Sequence, residues 1–306
     1  MEPMFDATSS PYATDDSSPF GLLEGHVANS SDRDLQRAQG SGRIVLSGSK
    51  KGARIINVFQ QSPIRIMFPR ARGSAVEEAV FVNTAGGIAG GDQLEASVTA
   101  LIDASIAVTS QAAEKVYRAL NAPARIATRL MACEASKLAW LPQETIVFNQ
   151  ARFRRETEIE LTSGAELLAL EWLVLGRAAH GEDMLGGHIA DSWRVKKDGR
   201  LIWADSFRAT DETFAHLRRT ALLSNCKAVG TLIYFGPYLD SRLELFRDIA
   251  RSLECPCAAT LVCGLVIVRL AAEASYDLRV ALRSLLQQFG RELGPGPFRV
   301  PKMWSC

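Results

Sequence analysis

From residue 43 onward, apolar and polar residues alternate with a period of two, the signature of strands that bury one face. Arg43–Leu46, Ala53–Phe59 and Ile64–Phe68 open this region, and Ala79–Val82 follows. A pattern then recurs three times. Leu94, Ala96, Val98, Ala100 and Ile102 alternate up to the turn Asp103-Ala104-Ser105, and Ile106 and Val108 lead away. Ile126, Thr128, Leu130 and Ala132 reach Glu134-Ala135-Ser136, and Leu138 and Trp140 lead away. Phe153, Thr157, Ile159 and Leu161 reach Ser163-Gly164-Ala165, followed by Leu168, Leu170 and Trp172. The turns return at intervals of roughly 30 residues, a spacing typical of stacked repeats. Each unit reads as a β-hairpin with one apolar face. Three of them predict a β-rich fold of stacked hairpins, layered or solenoid-like, rather than a doubly wound α/β sheet.

Further strands are predicted at Gly187–Val195 and Leu201–Phe207, joined across an Asp198-Gly199 turn, and at Lys227–Phe235. The period then changes. Tyr238–Leu253 and Tyr276–Leu293 carry apolar residues at helical spacing, and Gly294-Pro295 stops the second. Between them Cys257–Leu270 is nearly all apolar and reads as a strand buried on both faces. The expected architecture is a β body with two carboxy-terminal α-helices packed on it.

Each hairpin ends in a polar segment: Gln111–Arg118, Pro142–Thr145 and Gly176–Asp183. Ala-Ala-Glu-Lys in the first has good helical propensity and could start a helix. Stacking would place the three segments at one edge and gather their carboxylates. Ahead of them lies Asn83-Thr84-Ala85-Gly86-Gly87-Ile88-Ala89-Gly90-Gly91-Asp92, a shaped loop between two strands. No Gly-Lys-Ser/Thr follows Gly86, Gly87, Gly90 and Gly91, and the next residues alternate like a strand, so neither a Walker loop nor a dinucleotide fingerprint fits.

Composition narrows the classes. The 306 residues carry 35 basic and 34 acidic side chains, a balance that argues against nucleic-acid or acidic-membrane partners. No stretch approaches the roughly 20 apolar residues of a membrane span. Residues 1–42 are rich in Ser, Asp, Pro and Gly and predict a disordered tail ahead of a single 43–306 domain. They show no basic start or apolar run of a secretory signal, so a cytoplasmic protein with six reduced cysteines is expected. Cys255-Pro256-Cys257 lacks a second pair to complete a metal site, and buried thiols are expected there.

Several stretches, in order, resemble the urease accessory protein UreD (UreH) family. They are Asn83–Leu94, Thr109–Arg118 with its Gln-Ala-Ala-Glu-Lys-Val-Tyr-Arg, and Trp140–Phe148 with its Leu-Pro-Gln-Glu-Thr. Gly176–Glu182 and the ending Pro301-Lys302-Met303-Trp304 complete the set, which spans about residues 43–306. The Ser/Asp-rich tail and Asn83-Thr84-Ala85, where many members carry prolines, depart from the pattern. The resemblance implies a non-enzymatic maturation factor that docks on urease apoprotein, binds UreF and through it recruits the GTPase UreG. It implies delivery of Ni²⁺ with no tightly bound cofactor, and a β-rich fold with two helices.

Nickel in transit needs oxygen or nitrogen ligands that hold it briefly. Asp92, Glu114, Glu144, Glu171 and Glu182 are the carboxylates nearest the polar segments and the glycine loop, and form the candidate nickel path. Taken singly, each reads first as a turn cap or a partner of Arg118, Arg152 or Arg177; it is as a group that they suggest a path. Among the four histidines only His180 falls near such a segment. Lys115, Tyr117 and Arg118 are candidate partner anchors or a solvated face, and Trp304 is an exposed contact or a tie-down of the chain end. Two alternatives stay open: a β-rich metal-dependent hydrolase using the same carboxylates, and a protein that binds a small anion on the glycine-loop amides.

Overall fold

Strand β5 (Gln93–Ala100) runs up to the Asp103 turn and β6 (Ser105–Ser110) leaves it, yet the two do not pair with each other. In this computed structural model, β5 pairs in parallel with β8 (Ala124–Ala132), and β8 pairs in parallel with β11 (Arg152–Leu161). On the opposite layer β6 pairs in parallel with β9 (Lys137–Trp140), and β9 with β12 (Glu166–Leu175). Each repeat is therefore an arch that crosses from one sheet to the other, and not a hairpin. Stacked arches make the solenoid-like β body that the 30-residue spacing predicts. The predicted alternation survives in register: Leu94, Ala96, Val98 and Ala100 lie beside Ile126, Thr128, Leu130 and Ala132.

The corners explain why arches form. Asp103, Ala135 and Gly164 hold the left-handed conformation at equivalent places, with φ of 58°, 56° and 84°. The next residue donates its N–H back across each turn, Ala104 to Leu101 at 3.0 Å, Ser136 to Cys133 at 3.0 Å and Ala165 to Thr162 at 3.2 Å. A left-handed residue redirects the chain into the second layer, away from the pairing plane of the first.

The described residues are 37–49, 52–69 and 77–305. Most of the expected tail lies outside them, and β1 (Gln39–Ser49) opens slightly ahead of residue 43. The first sheet is completed by β2 (Gly52–Gln61), β13 (His188–Lys197) and β14 (Arg200–Ala209), in the order β14-β13-β11-β8-β5-β1-β2. The second adds β3 (Ile64–Met67), β4 (Glu77–Asn83), β15 (Ala228–Phe235), β16 (Cys257–Val262) and β17 (Leu265–Ala272). Its path is β16-β17-β15-β12-β9-β6-β4-β3, with the short β7 (Glu114–Val116) and β10 (Thr145–Val147) running beside β12. The predicted helical start at Gln111 is thus a strand, because Glu114 finds a backbone partner in the neighbouring arch, donating its N–H to the Glu144 carbonyl at 2.8 Å.

Two apolar cores result. One fills the space between the sheets; the other lies between the outer face of the second sheet and the helices α2 (Leu239–Arg251) and α3 (Ser275–Leu293). β12 faces both and is buried throughout, Leu167, Ala169 and Leu173 pointing inward and Leu168, Leu170 and Trp172 toward the helices. Phe246 and Phe289 stack at 4.4 Å between α2 and α3. The predicted single strand Cys257–Leu270 is instead the hairpin β16–β17, turned by Cys263 and Gly264 at φ of 49° and 79°. Only β17 is buried on both faces; β16 is an exposed edge, so its apolar composition misleads. A third helix, α1 (Asp211–Leu217), was not foreseen; Thr210 and Thr213 cap it reciprocally, and Phe214 is its one buried residue.

Candidate functional site

Strands β7, β10 and β12 lie side by side in parallel, with Glu114 beside Thr145 beside Leu173. Paired residues in parallel strands share a face, and the face alternates every residue. Val116, Val147, Leu173 and Leu175 belong to the inter-sheet core, so Glu114, Thr145 and Glu171 also point between the sheets. Glu144, one residue before Thr145, points outward by the same parity, and its carboxylate pairs with Arg279 of α3. Stacking therefore does bring the polar segments together at one edge, while alternation sends their carboxylates to different sides.

The inward groups line a cavity of about 280 Å³ between the sheets, walled in part by Asn83, Glu114, Trp140, Thr145, Arg155 and Glu171. Arg155 of β11 is 1% exposed. Its Nε and Nη2 donate to Asp191 Oδ1 and Oδ2 at 2.9 and 2.7 Å, and its Nη1 donates to Glu171 Oε2 at 2.7 Å and Thr145 Oγ1 at 3.1 Å. Trp140 Nε1 donates to the other Glu171 oxygen at 2.8 Å. Burial pushes the Glu171 carboxyl above the ordinary range, with Arg155 and Trp140 opposing. Burial also works against the guanidinium, but Asp191 and Glu171 outweigh it and hold Arg155 firmly protonated. Among the described residues Glu114 forms no ion pair, and the nearby charge of the exposed Lys115 lowers its carboxyl only slightly against burial. Glu114 is half-buried, accepts from Asn83 Nδ2 at 3.0 and 3.1 Å, and burial pushes its carboxyl up to about 7 against that hydrogen bond.

A family profile described as the UreD urease accessory protein matches residues 38–305 of this chain. The chain belongs to the UreD family. Among its relatives are the urease accessory protein UreD of Xanthobacter autotrophicus, 39% identical over 91% of this chain and 94% of the relative, and UreD 1 of Brucella melitensis, 37% identical over 90% and 97%. UreD of Agrobacterium fabrum is 36% identical over 88% of this chain and 92% of its own length. The cavity thus sits inside a urease accessory protein.

Against that family setting, the other predicted residues divide by their partners. Asp92 is 7% exposed and accepts backbone N–H groups from Ala38 and Ala89, each at 2.8 Å, so it closes the glycine loop. Glu182 pairs with Arg177 and accepts from Asn149 N at 3.1 Å, and the Arg177 guanidinium holds its carboxyl below the usual range. Among the described residues, no three His, Cys, Asp or Glu side chains converge to hold a metal ion. The loop is a clip: Ile88, Ala89 and Gly91 spend their N–H groups on Lys115 O, Asp92 Oδ2 and Pro123 O. Gly87, at φ 154°, leaves the space taken by Tyr117, whose ring lies 2.5 Å from where a Cβ would stand. Gly90 admits Ala119 equally closely, and Gly86 and Gly91 take φ of 74° and 90°. Three of the loop amides are thus spent within the fold, and Gly86 and Asn83 of the loop line the cavity.

Lys115, Tyr117 and Arg118 are exposed, although the Tyr117 hydroxyl donates to Gly86 O at 2.9 Å and its ring packs edge-on to Phe148. Trp304 corrects the expectation of an exposed contact. It is 1% exposed, stands 6.0 Å from Trp172 between ring centres, and donates Nε1 to Leu141 O at 3.1 Å, so it ties down the chain end. His180, itself exposed, ends the 3₁₀ turn Ala178–His180. Cys255 and Cys257 are half-buried, and burial pushes the Cys257 thiol up to about 12. Arg155 and Asp191 went unpredicted. Their signal is parity: each occupies an inward position between buried neighbours, Phe153-x-Arg155-x-Thr157 and Ile189-x-Asp191-x-Trp193.

Proposed function

We propose that this chain is a non-enzymatic scaffold of urease maturation that docks on urease apoprotein, binds UreF and through it recruits the GTPase UreG. In this reading its inter-sheet cavity guides Ni²⁺ toward the urease active site. The supporting observation is the pair of inward carboxylates, Glu114 and Glu171, held on the two strands that flank β10 in the wall of one cavity. At low local dielectric an ionised inward carboxylate attracts a divalent ion more strongly than a surface one, against the cost of stripping the ion's water. With two such groups and no converging third ligand among the described residues, the ion is attracted without being caged. The metal-dependent hydrolase alternative asks for a tighter ligand set than these residues supply.

The test is the nickel content of urease matured with Glu114→Gln/Glu171→Gln, beside the yield of the accessory complex. The double variant is expected to assemble the complex and leave urease poor in nickel. Normal nickel loading would sink the guiding role.

A further inference from the structure

The arginine between the two sheets lies in the same cavity wall as Glu171, and its bonding is asymmetric. Arg155 from β11 in the first sheet commits two nitrogens to Asp191 of β13, its neighbour in that sheet, at 2.9 and 2.7 Å. Only Nη1 reaches across to the second sheet, to Glu171 Oε2 at 2.7 Å and Thr145 Oγ1 at 3.1 Å. A bidentate guanidinium–carboxylate pair is the stronger and more directional hold. Losing the single bond to Glu171 would therefore leave Arg155 anchored. The charges also fail to cancel: one guanidinium faces two carboxylates, and Glu114 adds a third titratable group on the same cavity.

We infer that Arg155 is a displaceable internal counter-ion: it occupies Glu171 until the cargo cation arrives, and so keeps the cavity's hold on that cation weak. This rests on the reading of the cavity as a cation passage. A Glu171 left free in a buried site would bind a dication tightly and release it slowly. With Arg155 in place, each ion must displace the guanidinium from Oε2, and the guanidinium returns when the ion moves on. Asp191 sets how readily that happens, because it shares the positive charge. Arg155 is thus a positioning residue, distinct from a plain strut between the sheets.

The test is equilibrium binding of Ni²⁺ to the purified full-length chain, with circular dichroism as a check of folding. Arg155→Gln is expected to raise nickel affinity on the order of tenfold or more, because a positive charge a few ångströms from the ion is removed. Arg155→Gln/Asp191→Asn should give a similar rise while leaving one buried carboxylate without a cation rather than two, and guards against misfolding of the single variant. Asp191→Asn alone should lower affinity, since Arg155 then neutralises Glu171 undivided. A fall on Asp191→Asn in the wild-type background, with little change from the same substitution in the Arg155→Gln background, is the signature that a strut would not produce. Glu171→Gln should abolish the gain. An affinity unchanged or lowered in both Arg155 variants, with Glu171→Gln still weakening binding, would overturn the counter-ion role and leave the passage standing. Nickel binding indifferent to Glu171 in every background would overturn both.

Discussion

Replacing Glu114 with Gln should remove a pH dependence from the stability of this protein. Burial raises the carboxyl from the ordinary 4.5 to about 7, so the folded chain favours the protonated form. The sign follows from linkage. The contribution is fully present below the unfolded value near 4.5 and is lost as pH rises through about 7. A shift of that size corresponds to about 3 kcal/mol at about 1.4 kcal/mol per unit. Because Glu114 is only half-buried, screening brings the expectation down to about 2 kcal/mol. The glutamine cannot ionise, and its amide oxygen still accepts from Asn83 Nδ2. Denaturant unfolding of the two proteins between pH 5.5 and 8.5 isolates the effect, since every other titrating group cancels in the difference. Relative to wild type, Glu114→Gln should gain about 1 kcal/mol across that range, since part of the loss precedes pH 5.5. Parallel pH profiles would refute the argument and place the Glu114 carboxylate in contact with water.

Trp304→Ala should cost about 3–5 kcal/mol in chemical denaturation, the usual loss for a buried tryptophan; a loss below 1 kcal/mol would mean the chain end is not part of the core. Gly90→Ala places a Cβ 2.5 Å from Ala119 Cβ and 2.7 Å from the Ala122 carbonyl, and should cost about 1–3 kcal/mol, read as a lower melting temperature. Gly86→Ala meets nothing within 4 Å, pays only for its φ of 74°, and should melt well above Gly90→Ala. Glu144→Gln and Glu182→Gln, whose carboxylates face Arg279 and Arg177, should leave the nickel content of co-produced urease near wild type. A loss equal to that of Glu171→Gln would extend the path to the outer side of the strands.

The repeats were legible because alternation and spacing are local. Leu94-x-Ala96-x-Val98 and Ile126-x-Thr128-x-Leu130 announce strands whose inward rows match, and in the structure those rows stand side by side. The direction of pairing was not legible. A hairpin and an arch share the same alternation around a short turn, and the difference lies in the left-handed corner residues Asp103, Ala135 and Gly164, of which only the last is a glycine. The Ala-Ala-Glu-Lys segment failed for the opposite reason. Its helical propensity is a local preference of a few tenths of a kcal/mol per residue, and the ladder offered by β10 outweighs it.

For the site, composition pointed to five carboxylates and parity separates them. Counting along β7, β10 and β12 from residues known to face the core sends Glu114 and Glu171 inside and Glu144 out. That count needs the register between strands far apart in sequence, which no single segment encodes. The same count places Arg155 and Asp191 between the sheets, where an arginine alone would be prohibitively costly. Their burial is tolerable because each supplies the other's charge. An apolar pair in the same places would be at least as stable on desolvation grounds. A fold that keeps three carboxylates and one guanidinium inside, where leucines would serve stability, is spending stability on a charged interior. In the proposed role, the pull that interior would exert on a passing cation is the property that such a cost supports.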